Sequence, residues 1–192
     1  YNNAITSTVD GCYLSGYWQS FRYFQDIEYI LRQDFSFPSL DGNNIKQLAS
    51  RCKNENSVSI HIRRGDFFNS SNKTHATCSV DYYSQAVDYI CGIINDPIFF
   101  VFSDDFDWVD RNMILPLNCI KVTENNGEKS YLDMQLMSYC KHNIITNSSF
   151  SWWGAWLNNN PNKIVIAPKR WFSNKRLNSK TYDLIPIEWI RI

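Results

Sequence analysis

From residue 58 onward, short apolar runs alternate with stretches of helical period. The runs 58–62, 98–102, 119–122, 143–146 and 163–167 are strand-like. In the first, Val58, Ile60 and Ile62 alternate with Ser59 and His61, the period of a half-buried strand. Between the runs, Tyr82, Tyr83, Ala86, Val87, Ile90 and Ile94 share one helical face, with Asp81 placed as its cap. Leu132, Leu136, Tyr139 and Cys140 form a second stripe. It opens at Ser130, with Asp133 three residues later in a capping-box-like start. This alternation predicts an α/β fold, a Rossmann-like parallel sheet flanked by helices. Crossover connections then gather the strand ends at one edge.

Residues 1–56 follow another pattern. A helix is expected near 22–31, broken by Phe35-Ser36-Phe37-Pro38, and a second over 43–56. With so few strands this part is no domain by itself, and is expected to pack on the α/β unit or bridge to something else. The Asn-rich stretches 69–72 and 158–162 are turn-like.

Composition narrows the function classes. Hydrophobic residues at 44% and aromatic residues at 16% describe a folded chain. Nineteen basic and nineteen acidic side chains cancel, which argues against a nucleic-acid partner or a broad footprint on anionic lipid. Six cysteines without a CxxC pair fit neither a zinc site nor a small disulfide scaffold, though their even number leaves disulfides open. Three widely separated histidines argue against a His-based metal site. The longest apolar run, 98–102, is too short to span a bilayer, and no signal peptide is evident. The chain starts at Tyr1 rather than methionine, as a fragment would. Seven Trp and eleven Tyr fit either a well-filled core or stacking platforms for sugars and bases.

Four segments carry candidate chemistry. His61-Ile62-Arg63-Arg64-Gly65-Asp66 ends the first strand, where α/β sheets commonly bind ligands. An arginine fork suits phosphate oxygens, and neighbouring side chains on a strand point to opposite faces. One arginine can therefore face a diphosphate while the other supports the loop; the alternative is a solvated turn or a local salt bridge. Thr146-Asn147-Ser148-Ser149-Phe150-Ser151 leads from a strand into a helix, a natural phosphate cradle. Ser149 or Ser151 could equally be a simple cap, with Trp152 and Trp153 in the core. The Asp133 carboxylate could accept both N1–H and N2–H of a guanine, or merely cap its helix. Asp105-Phe106-Asp107 has the Asp-x-Asp spacing of metal-dependent glycosyltransferases, and is as readily a helix cap.

Taken together and in order, these segments resemble the α-1,2-fucosyltransferases of glycosyltransferase family eleven. The matching pieces are Leu14-Ser15-Gly16-Tyr17-Trp18-Gln19-Ser20, Ser59 through Asp66, Val101-Phe102-Ser103-Asp104-Asp105, and Asp133-Met134 through Leu157. The resemblance implies inverting, metal-independent transfer of fucose from GDP-fucose to the 2-hydroxyl of a terminal galactose. It implies the GT-B arrangement of two facing Rossmann-like domains and no cofactor beyond the donor. Arg63 would contact the β-phosphate, with Arg64 and Asp66 beside it as catalytic residues. His61, Asp104, Asp133, Asn147, Ser148, Ser149, Phe150 and Ser151 would bind the donor, and Asp133 would read guanine.

Such enzymes usually carry an N-terminal Gly-Gly-Leu-Gly-Asn-Gln-type segment, which is not found here. The chain thus resembles the donor half, residues 57–192, preceded by the tail of an acceptor-side domain and linker, residues 1–56. The expected partners are GDP-fucose and a galactose-terminated glycan. The location that fits is a bacterial cytoplasm, with peripheral membrane association compatible, or the Golgi lumen for a eukaryotic protein. Two rivals stand beside this reading. One is a metal-dependent glycosyltransferase using Asp105 and Asp107; the other is a non-catalytic module that binds glycans or GDP-sugars. Asn69, Asn72 and Asn147 fit the glycosylation triplet, a pattern frequent in Asn- and Ser-rich chains.

Overall fold

The computed structural model describes residues 1–64, 76–125 and 127–192. Six strands form one parallel sheet: β1 (Ser57–Ile62), β2 (Ile98–Ser103), β3 (Cys119–Val122), β4 (His142–Ile144), β5 (Val165–Ala167) and β6 (Ile190–Arg191). Their order is β3-β2-β1-β4-β5-β6, with Ile60 of β1 opposite Val101 on one side and Ile144 on the other. Five strands fall on the apolar runs. β6 was not anticipated, because a strand of two residues has no room for a period.

Seven helices accompany the sheet among the described residues: α1 (Glu28–Asp34), α2 (Asn43–Asn54), α3 (Val80–Cys91), α4 (Phe106–Asn112), α5 (Tyr131–Tyr139), α6 (Ser149–Trp156) and α7 (Lys175–Asn178). On one face, Tyr82, Tyr83, Ala86 and Ile90 of α3 pack on Val58, Ile60, Ile62 and Val101, with Val109 of α4 beside them. On the other, Ile45, Ala49 and Cys52 of α2 meet Phe100, Phe102, Leu136 and Met137. α6 continues this layer through Trp152, Ala155 and Trp156 over Val165 and Ala167. α2 precedes the boundary expected at residue 56, yet its apolar face is core of this same sheet.

Coverage on both faces changes one expectation. β1 is buried at all six positions rather than half-buried, as a central parallel strand must be. Its polar side chains bond inside the protein. Ser59 Oγ accepts from Asn143 Nδ2 at 2.7 Å, and Ser57 Oγ accepts from the Lys141 N–H at 2.9 Å.

The caps also differ from the sequence reading. Ser79, not Asp81, caps α3 by accepting from the Tyr82 N–H at 3.2 Å. Ser130 has helical backbone angles and no side-chain capping bond, so the capping box is absent. Residues 21–35 lie against α6 as short turns and α1. Phe24 stacks on Trp153 at 5.4 Å, and the Arg32 guanidinium sits 4.3 Å over Trp156. The six cysteines are free thiols, and among the described residues no helix is long and apolar enough to cross a membrane.

Candidate functional site

After β1 the chain turns to α3 on one face; after β4 it turns to α6 on the other. Strand order reverses between these neighbours, the place where open α/β sheets leave a crevice beyond the carboxyl ends of their strands. The residues that meet there follow β1, β2, β3 and β4.

Arg63 and Arg64 leave β1 with different fates. Arg64 is buried: its guanidinium lies 3.6 Å over the Trp108 ring, and Nη1 donates to the Cys78 carbonyl at 3.3 Å. Arg63 keeps 29% of its side chain exposed at the crevice, with Nε 3.7 Å from Asp104 Oδ2. The other oxygen of Asp104, after β2, accepts the Arg64 N–H at 2.8 Å. The Asp104 carboxylate therefore faces the arginine turn, where the sequence reading had it binding the donor. Gly65 and Asp66 lie outside the described residues, as do Asn69 and Asn72.

His61 is the last side chain of β1 toward the α5–α6 layer. It is 4% exposed and its ring centre lies 5.6 Å from that of Phe150. Its Nδ1 is buried and has no hydrogen-bond partner among the described residues. Burial, reinforced by the Arg63 charge, pulls the imidazole down to about 3, so it is neutral in ordinary buffers. An orphaned buried nitrogen costs roughly 1–3 kcal/mol and calls for a partner from outside.

The turn from β4 into α6 divides the serines. Ser148 is the cap, accepting from the Phe150 N–H at 3.3 Å. Ser149 and Phe150 stand at the helix opening, Ser149 exposed and Phe150 half-buried. Ser151 is buried, its hydroxyl turned back to the Ser148 carbonyl at 3.4 Å. Asn147 is also buried; its amide donates to the carbonyls of Ala76 and of Trp171, the latter at 2.8 Å, and its oxygen accepts from Thr146 Oγ1 at 3.1 Å. Asn147 and Ser151 thus shape the turn from inside it. At the far end of α6, Lys163 Nζ donates to the Ala155 and Asn158 carbonyls at 2.8 and 2.7 Å. An ammonium there complements the helix dipole.

Asp133 lies in the first turn of α5, where its Oδ1 accepts from Asn125 Nδ2 at 2.7 Å. Burial pushes its carboxyl up to about 6, against the pull of the Asn125 bond. Asn125, Trp108 and Cys78 were not picked out from sequence. Only Asn125 carries a signal there, as a polar residue just past a strand end. Asp105 caps α4 by accepting from the Trp108 N–H at 2.8 Å, the plainer of the two readings for it. Among the described residues no three His, Cys, Asp or Glu side chains cluster as a metal site would.

Two openings flank this arrangement. A cleft of about 520 Å³ runs between the N-terminal turns and the first residues of α6, walled by Trp18, Phe24, Ser149, Trp152 and Trp153. A wider one of about 810 Å³ lies at the opposite edge of the sheet, near Arg32, Lys53, Lys141 and His142, and neither Arg63 nor Arg64 lines it.

The profile of glycosyl transferase family 11 matches residues 6–192. The chain is 39% identical over its whole length to an alpha-1,2-colitosyltransferase of Escherichia coli, of which it covers 67%. It is 41% identical to the Escherichia coli O-antigen biosynthesis glycosyltransferase WbnK, over 73% of this chain and 46% of that protein. A galactoside 2-alpha-L-fucosyltransferase of Caenorhabditis elegans is 28% identical over 77% of this chain and 43% of its own length. Among solved structures, the fucosyltransferase NodZ from Bradyrhizobium superposes with a TM-score of 0.43 at 15% identity, over 58% of this chain and 39% of that one. The chain spans two thirds of the first relative and less than half of the next two. With the family profile matched from residue 6 to the last residue, this protein belongs to glycosyl transferase family 11.

Proposed function

We propose that the chain is the donor-binding part of an inverting glycosyltransferase that moves fucose from GDP-fucose to the 2-hydroxyl of a galactose-terminated glycan. One observation carries the reading: the part-exposed Arg63 follows β1 and the opening of α6 follows its neighbour β4, the pair between which strand order reverses. A diphosphate there would meet a guanidinium fork and the positive end of a helix. As the sugar C1–O bond breaks, its electron pair passes to the β-phosphate oxygen. A guanidinium already in position is suited to that charge, and no metal is then required. Asp133, ionised above about pH 6, would accept the two N–H groups of guanine. His61, neutral and short of a partner, would take a donor hydrogen at Nδ1.

The packing of α2 on the same sheet supports counting it with the donor domain. In a GT-B enzyme the acceptor-side contribution would then narrow to the residues before it. A second donor is favoured by one observation: identity to the colitosyltransferase exceeds that to the fucosyltransferase. The donor sugar would then be colitose, which lacks one more hydroxyl than fucose.

Calorimetric titration with GDP, UDP and ADP, with and without EDTA, tests the reading. GDP-selective binding that ignores EDTA is expected. Equal binding of UDP would refute guanine recognition. Loss in EDTA with recovery in Mn²⁺ would return the metal-dependent rival. GDP binding indifferent to Arg63→Ala would favour the non-catalytic module.

A further inference from the structure

The six cysteines take no part in holding a nucleotide as described above, and the fold sorts them by place. Cys12 and Cys91 are exposed, and Cys119 lies on the edge strand β3. Cys78 is buried on the α3 face of the sheet, where its sulfur accepts from Thr146 Oγ1 at 3.2 Å. Cys52 and Cys140 are both buried on the other face, in the cluster that α2 and α5 build over Phe100 and Phe102.

Cys52 stands in the last turn of α2, and Cys140 directly follows α5. Ser57, the first residue of β1, joins them. Its hydroxyl donates to the Cys52 carbonyl and accepts the Lys141 N–H at 2.9 Å, and that N–H belongs to the peptide group leaving Cys140. The carbonyl of the same peptide group accepts from Asn158 Nδ2 at 2.7 Å. Both cysteine backbones are thus fixed around one hydroxyl. Their side chains meet: the Cys140 thiol is in hydrogen-bonding contact with the Cys52 thiol and with Ser57. Burial and the neighbouring thiol hold Cys140 in its protonated form, against the Ser57 hydrogen bond. An S–H group is a weak donor, so two thiols gain little from each other. Apposed sulfurs on fixed backbones are what a disulfide requires. A way in exists as well. Cys140 lines the wider opening at the amino edge of the sheet, beside Lys53 and Lys141, and among the described residues that line it none is acidic.

We propose that Cys52 and Cys140 are a site of reversible covalent modification, a disulfide that ties the end of α2 to the end of α5, made by exchange with a low-molecular-weight disulfide. The Cys140 thiol gives up its proton and its sulfur attacks one sulfur of the reagent. The reagent S–S bond breaks, and its other half leaves as a thiol with that proton. The Cys52 sulfur then attacks Cys140 Sγ, forming the protein S–S bond and releasing the second half as a thiol with the Cys52 proton. Two protein thiols are oxidised and one reagent disulfide is reduced. The bridge closes the long loop 52–140, which restricts the unfolded chain and so favours the folded one. The proposal does not rest on the donor reading.

The test equilibrates the full chain in buffers of reduced and oxidised glutathione at graded ratios. One series starts from the folded protein and a second refolds it from urea in the same buffers, so that slow access to buried thiols does not decide the outcome. Free thiols are then blocked with iodoacetamide, and linked peptides are identified by mass spectrometry. The Cys52–Cys140 link is expected in both series, at ratios about 10-fold or more below those that load glutathione onto the exposed Cys12 and Cys91. The linked protein should melt at a higher temperature and lose that gain in dithiothreitol. Cys52→Ser and Cys140→Ser should show neither the link nor the gain. The unaltered protein alone is enough to overturn the proposal: absence of the link in both series, glutathione held on Cys140 without transfer to Cys52, or a link that lowers the melting temperature would each do so.

Discussion

Two adjacent, chemically identical side chains do different work at the end of β1. Arg64 is built in, stacked on Trp108 and bonded to the Cys78 carbonyl, while Arg63 is half-exposed at the crevice. Arg63→Lys should therefore weaken GDP binding by about 10-fold or more, since a point charge replaces a fork, with melting unchanged. Arg64→Lys should lower melting first, by about 1–2 kcal/mol for the lost stacking over the indole. Calorimetry and thermal denaturation on both variants separate the two roles. Asp133 invites a pH experiment. Its carboxyl is raised from 3.8 to about 6, so the folded chain holds that proton more tightly than the unfolded one. The stability this gives is complete below pH 3.8 and is lost as pH rises through 6. Asp133→Asn should raise melting at pH 7.5, by up to about 3 kcal/mol, and not at pH 3.5. The same variant should bind GDP more weakly. A gain equal at both pH values would contradict the burial argument. His61 runs with the opposite sign: its lowered pKa withdraws stability as pH falls below 6.5.

At the scale of elements, the positions of five strands were legible because apolar runs between helical stripes leave little choice. Their exposure was not, since Ser57 and Ser59 are as polar in a buried strand as in a surface one and only their partners differ. The caps were misread for a related reason. Ser79 and Asp81 are both good caps by type, and the turn geometry selects Ser79. The gathering of His61, Arg63, Asp133 and Ser149 at one edge was legible, because each follows a strand or opens a helix. The inward turn of Asn147 and Ser151 was not, because spacing does not say which way a side chain leaves a turn. Gly154, inside α6, shows what packing adds. A Cβ there would meet Met137 Cβ at 3.0 Å, and that atom is fixed to the α5 backbone. Helix propensity favours alanine over glycine by about 1 kcal/mol, while overpacking costs about 1–3 kcal/mol. Gly154→Ala should thus lower stability in urea denaturation and, by pushing α6 from α5, weaken GDP binding. A variant that is more stable and binds normally would show that the two helices have slack.

For the whole molecule, the wider opening lies at the amino edge of the sheet and the proposed chemistry at the carboxyl edge. Size alone therefore misdirects. Lys141 lines the wider opening, its Nζ donating to the exposed Asn56 side chain at 3.2 Å. Lys141→Ala should leave the GDP titration unchanged; a clear loss of affinity would move the site to that edge. The net charge of zero adds that any attraction for a diphosphate is local to the arginine turn and not a property of the whole surface.

Four of the seven tryptophans, Trp18, Trp152, Trp153 and Trp171, line the cleft beside α6. Indole emission shifts to shorter wavelength when water leaves its surroundings. A ligand seated there would dry Trp18 and rearrange the excitation shared among the others, whereas one confined to the His61 side would leave them in the same solvent. The protein therefore carries its own optical reporters: Trp18 reports on the cleft and the Trp108 indole against Arg64 on the arginine turn, so filling can be followed in a stopped-flow trace without a label.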